Sequence, residues 1–269
     1  MDPRTLASVA GGTLLLAGFI LRSRNAASPA VDLSLFADRT YRLANLATFV
    51  FAIAFTAMFF NFVFFLTQRW HYTLFQAGLA ITPGPLVVIP VAIIAGRIAD
   101  RRGHRGPLVV GGLVFALGGT LLYSAVNSAP DFLATWLPRA LVTGTGVGLV
   151  LPSLSGSAVH GLPSNRFALG SAINQAVRQL GSVIGVGLVI ALLGRTHPSN
   201  EVAAFRSVAA ILVAGGVLTS LVCLGIKAGP RAAPAGAGDV GASRSELNAA
   251  HRGRPSPKLV RWRAPRTAS

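Results

Sequence analysis

Gly96-Arg97-Ile98-Ala99-Asp100-Arg101-Arg102-Gly103-His104-Arg105 holds four arginines, one aspartate and one histidine in ten residues. On either side, residues 77–95 and 107–126 contain no Asp, Glu, Lys, Arg or His. About 20 residues of helix, rising 1.5 Å each, cross a hydrocarbon core roughly 30 Å thick. The segment therefore reads as a charged hairpin at a membrane surface, joining two helices that span.

Composition agrees. Of 269 residues, 12% are charged and 52% hydrophobic, with a mean hydropathy of +0.60, whereas a soluble domain carries about 25% charged residues. A net charge of +16 would suggest nucleic acid in a soluble protein. Here the excess falls in loops and a tail that face anionic headgroups, so the lipid bilayer is the partner and nucleic acid is not. The lone Cys223 has no partner for an intrachain disulfide and reads as a small helix-packing residue.

Seven stretches are apolar enough to span: residues 5–21, 44–66, 76–95, 107–126, 132–153, 168–194 and 206–226. The fold class expected is all-α, a polytopic membrane helix bundle. The first stretch is the shortest, and a secretory signal with a small-residue site near Ala26 and Ala27 is its alternative reading. Alternate loops differ in charge: Arg22, Arg24, Arg39, Arg42, Arg97, Arg101, Arg102, Arg105 and Arg166 fall in one set, and only Arg69 and Arg195 in the other. The positive-inside rule places the richer set in the cytoplasm and the N-terminus outside, in the cell inner (plasma) membrane. Residues 22–43 form a cytoplasmic loop on this reading. Residues 227–269, rich in Ala, Gly, Pro and Arg, lack the apolar surface to offset ordering entropy and read as a disordered basic cytoplasmic tail.

The spacing Gly-x-x-x-Asp-Arg-x-Gly-x-Arg resembles the cytoplasmic signature loop of the major facilitator superfamily of secondary transporters. Asp32 to Asn45 (DLSLFADRTYRLAN), Leu66 to Pro83 (LTQRWHYTLFQAGLAITP) and Gly170 to Gly185 (GSAINQAVRQLGSVIG) are similar to stretches of its fourteen-helix drug:proton antiporter branch, in the family's order. The resemblance implies a linker transmembrane helix over residues 1–21 and the six-helix C-terminal half of a transporter over 44–226, built as two inverted three-helix repeats. It further implies proton-coupled efflux of drugs or other small molecules by alternating access. Its partners would be a small-molecule substrate, protons, and either the missing N-terminal half or a second copy. A noncatalytic membrane scaffold or inactive remnant is the alternative.

In the hairpin, the arginines alone are explained by charge asymmetry, but Asp100 is costly near lipid and is expected to pair with an arginine or cap a helix. Gly96 and Gly103 would permit close approach and a tight turn. The resemblance makes Gly96, Asp100, Arg101, Gly103 and Arg105 a gating loop, against a purely structural turn.

In the sixth span, Asn174, Arg178, Gly181 and Gly185 follow at steps of four, three and four, one helical face with glycines at GxxxG spacing. Arg178 must snorkel, pair or line a wet cavity. With Asn174 beside it and Asn61 of the second span, it is a candidate for the substrate path or inner gate. Gly144, Gly146 and Gly148 form no dinucleotide loop, since Leu149 follows and no strand precedes; helix packing explains them. The five histidines have no metal-ligand spacing, so neither enzyme, cofactor nor metal is expected.

Overall fold

A computed structural model describes residues 33–126, 129–160, 162–193 and 200–226, together with Gly11, Gly12 and Gly18. The expected first span, most of the loop that follows it and the basic tail lie outside these residues.

Among the described residues every regular element is helical. Helix α1 runs Arg39–Phe64 and continues through a π turn, Phe65–Arg69. Helices α2 (Leu74–Ile81) and α3 (Pro83–Arg102) form one span, broken where Pro83 and Pro85 interrupt the backbone ladder. Then come α4 (Arg105–Ala125), α5 (Leu137–Val159, entered through a π turn at Phe132–Trp136), α6 (Phe167–Leu193) and α7 (Glu201–Leu224). Six of these stretches are long and apolar enough to cross a membrane.

The helices are longer than the hydropathy stretches. Helix α1 begins at Arg39, five residues before the expected 44, and α3 continues past residue 95 to Arg102. Hydropathy marks the hydrocarbon thickness, while charged and capping residues carry a helix on through the headgroups. Asp38 caps α1 by accepting from the Tyr41 N–H at 2.8 Å, and Asp131 caps the entry to the α5 span by accepting from the Ala134 N–H at 2.9 Å.

Packing follows a pattern that survives exchanging the first three spans for the last three. Helix α1 packs most heavily on α6 and α7, α5 on α3 and α4, and α4 on α7; α1 and α5 touch along a thinner seam. Swapping α1 with α5, α3 with α6 and α4 with α7 returns the same list. The inverted three-helix repeats expected from the sequence have this property.

Two bundle ends are distinguishable. At one lies the α3–α4 hairpin, where His104 and His160 meet edge to face with ring centroids 5.7 Å apart. At the other, Trp136 packs with Phe62, Phe65 and Trp70, and its Nε1–H donates to the Ala80 carbonyl at the α2–α3 break, 2.8 Å away. There too Arg69 Nε donates to the Val126 carbonyl at 3.4 Å. Arg139 donates to the carbonyls of Leu121, Ala134 and Thr135, binding the π turn's displaced backbone rather than simply reaching for water.

Candidate transport wall

Two spans are poorly covered. Of the most apolar 18 residues in each, 17% are buried in Leu74–Arg102 and 22% in Ser164–Leu193, against 44–56% in the other four. Helices α3 and α6 flank the α1–α5 pair, so all four present one open wall, and two clefts between helices lie on it.

The first cleft, about 190 Å³, belongs to the hairpin half of the wall. Thr48, Phe51 and Phe55 of α1, Leu151 and Ser155 of α5, and Asn174, Arg178, Gln179 and Ser182 of α6 line it. The second, about 220 Å³, lies toward the opposite end between Phe55, Met58, Phe59 and Phe62 of α1, Pro85 and Val88 of α3, and Gly144 and Val147 of α5. Phe55 and Leu151 border both, so the two adjoin. From Thr48 to Phe62 the trough follows α1 for about 21 Å.

The polar cleft is held by a directional network. Asn45 Nδ2 donates to the Tyr41 carbonyl at 2.9 Å, which turns its Oδ1 toward α6. Asn174 Nδ2 then donates to Asn45 Oδ1 at 3.1 Å and to Thr48 Oγ1 at 3.0 Å, while Thr48 passes its own proton to the Ala44 carbonyl at 2.8 Å. Asn174 is 6% exposed, so these bonds are shielded from water. Below it Gly181 and Gly185 face α1 directly: a Cβ at Gly181 would lie 2.6 Å from the Phe49 carbonyl oxygen, and one at Gly185 2.5 Å from that of Ile53. The sequence spacing thus marked a packing face, and its partner is α1.

Arg178 stands at the edge of that face. It is half-buried, lines the cleft, and donates through Nη2 to Gln175 Oε1 one turn away. Among the described residues no carboxylate pairs with it; Asp38, Asp100, Asp131 and Glu201 all sit at helix ends.

Asn61 does not belong to the wall. At about 100° per residue it points roughly 110° from the line of Phe55, Met58, Phe59 and Phe62. It is 4% exposed, lines neither cleft, and its Oδ1 has no hydrogen-bond partner among the described residues. Thr48, more than three helical turns toward the hairpin, is the α1 hydroxyl that reaches the cleft.

The hairpin is tighter than its sequence suggested. Only Gly103 and His104 lie between the helices, and Gly103 takes φ 86°, which a side chain would strain. Asp100 sits on the exposed last turn of α3 and, among the described residues, neither pairs with an arginine nor caps a helix. Arg101 and Arg102, one and two residues on, project from other sides of the helix and cannot meet it. Arg101 is exposed, and Arg105 opens α4. No atom outside its own helix comes near Gly96, so the close approach expected there is absent.

The model of the Major Facilitator Superfamily matches residues 4–186 and, in a second overlapping match, 44–264. The chain belongs to this superfamily. Superfamily members are transporters rather than enzymes, and the chain is a multi-pass membrane protein. Among its relatives, the Multidrug resistance protein B homolog of Mycobacterium tuberculosis is 31% identical over 76% of this chain and 38% of its own length. The Lincomycin resistance protein of Streptomyces lincolnensis is 25% identical over 74% of this chain and 41% of its own length. The Multidrug export protein EmrB of Haemophilus influenzae is 29% identical over 60% and 31%. The chain thus spans well under half the length of these superfamily relatives.

Proposed function

We propose that this chain supplies one wall of a drug-efflux transporter working by alternating access. The observation that carries the reading is the trough of two adjoining clefts on α1 and α5, polar at one end and aromatic at the other, between the two least covered helices. Lipid would be a poor neighbour for Gln179, Arg178 and Ser182, so a second six-helix bundle, an N-terminal half or another copy, covers α3 and α6. Superfamily membership and relatives named for drug resistance support the same reading. With no carboxylate on the trough, the proton carrier belongs to that second bundle.

The hairpin end, which carries Arg39, Arg42, Arg97, Arg101, Arg102, Arg105 and Arg166, is assigned to the cytoplasm of the cell inner (plasma) membrane, along with residues 227–269. Residues 67–75 and the N-terminus are extracytoplasmic. Asp100, exposed and unsatisfied within this bundle, is free to engage the second one, with Gly96, Arg101, Gly103 and Arg105 forming the gating loop.

Reconstitution tests the assignment. Liposomes carrying a verified monomer of this chain should show no drug-dependent proton movement, and such movement would overturn the one-wall reading. Impermeant thiol reagent applied to intact cells should label a cysteine placed at position 71 and spare one at 104, in a Cys223→Ala background; the reverse would invert the topology. In a transporter completed by a second bundle, Asp100→Asn should cut transport about tenfold at normal expression, as loss of a state-selective contact does.

A further inference from the structure

The trough carries one charge, and its sign bears on what the trough accepts. Arg178 is the sole ionisable residue lining either cleft. The residue is half-buried, and its guanidinium makes one described hydrogen bond, an exposed one to a neutral amide on its own helix. Five N–H donors in a planar fork are more than Gln175 can occupy. The fork matches the two oxygens of a carboxylate or sulfonate, and in a site walled by Phe51, Phe55 and Leu154 such a pair is strengthened by the low dielectric. Gln179 and Ser182 add neutral groups able to donate to an anion.

Past Phe55 the lining changes. Met58, Phe59, Phe62, Pro85, Val88 and Val147 offer an apolar surface for a ring system, with no polar side chain among them. A cationic ligand would find no counter-charge anywhere along the wall, and would meet Arg178 at its polar end.

Building on the transport reading, we infer that this wall selects amphipathic organic anions: a flat apolar body against Phe55 and the aromatic cleft, and a carboxylate-type head on Arg178. Arg178 is the specificity-determining residue, and Phe55 the hinge between head site and body site.

The test uses the full chain, purified into phosphatidylcholine nanodiscs, and three tritiated probes with the same ring: 2-naphthoate, 2-naphthylmethanol and 2-naphthylmethylammonium. Binding is read by scintillation proximity against empty nanodiscs. The anion should bind at least ~tenfold tighter than the neutral alcohol, the usual scale for a hydrogen-bonded charge, and the ammonium weakest. Arg178→Gln should bring the anion down to the alcohol's affinity, Arg178→Lys should keep most of the preference, and Arg102→Gln, an exposed hairpin change, should leave it intact. Equal affinities in the unaltered chain, or a preference that survives Arg178→Gln or falls equally with Arg102→Gln, would overturn the charge selection while leaving the trough as a binding wall. The three probes compared on the unaltered chain decide this even where a variant fails to fold. No saturable binding by any probe would overturn both the charge selection and the wall itself.

Discussion

The seam between α1 and α6 and the seam between α3 and α5 occupy equivalent places in the two repeats, and they are chemically unlike. Both hold helices at close range through glycine: Gly181 and Gly185 on α6 meet the backbone of α1, and Gly144 on α5 meets that of α3, where a Cβ would lie 2.7 Å from the Gly84 carbonyl oxygen. Beside the first seam stand Asn45, Thr48, Asn174 and Arg178; beside the second stand Pro85, Val88 and Val147. Glycine contacts fix the distance between helices, and the residues flanking them set the chemistry of the cleft. One skeleton used twice thereby yields a polar pocket at one end of the wall and an apolar one at the other.

If glycine sets both seams, Gly181→Leu and Gly144→Leu should be the most damaging changes, each forcing helices apart at about 3 kcal/mol, the upper end for overpacking. Cys223, fully buried, reports this directly: reaction with a thiol-reactive dye on heating should begin at a markedly lower temperature in both variants. Loss of stability in one alone would break the equivalence of the two seams.

A smaller effect separates the chemistries. Val147→Ala removes two methylenes' worth of packing from the apolar seam and should cost about 1 kcal/mol. Asn174→Ala should cost less, about 0.6 kcal/mol, because hydrogen bonds between membrane helices contribute little net stability. The same dye assay ranks them, and a larger loss from Asn174→Ala would make the polar network the stronger clamp.

Smallest of all is Gly96→Leu. With open space around that position, it should shift stability by no more than about 0.5 kcal/mol. A loss approaching that of Gly181→Leu would mean that Gly96 meets an element absent from the described contacts.

Much of the architecture is legible in the chain itself. Long apolar stretches identify the six described spans, the charged hairpin marks the turn between α3 and α4, and the four-three-four spacing in α6 picks out its packing face. The N-cap Asp38 carried a readable signal that the expected start at residue 44 overrode, whereas Asp131 directly precedes the expected start at 132, where the helical backbone begins. Asn61 misled because a lone amide in an apolar helix looks the same whether it faces a cavity or a neighbour. Arg178 was visible as an anomaly, but the cleft it lines needs α1 and α5 as well.

What the sequence determined by itself is therefore where the six described spans cross the hydrocarbon, and which faces are small enough for close approach. These follow from hydrocarbon thickness, from the cost of charge in lipid and from the absence of a side chain on glycine. The tertiary structure alone decided which helix lies across each seam, that the two clefts share Phe55 and Leu151, and that Asn61 turns away. The reason is physical: lipid tails are as apolar as a protein core, so the periodic contrast that marks a buried face in water is erased in a membrane. Partners separated by more than 100 residues, such as Asn45 and Asn174, become visible only when the bundle closes.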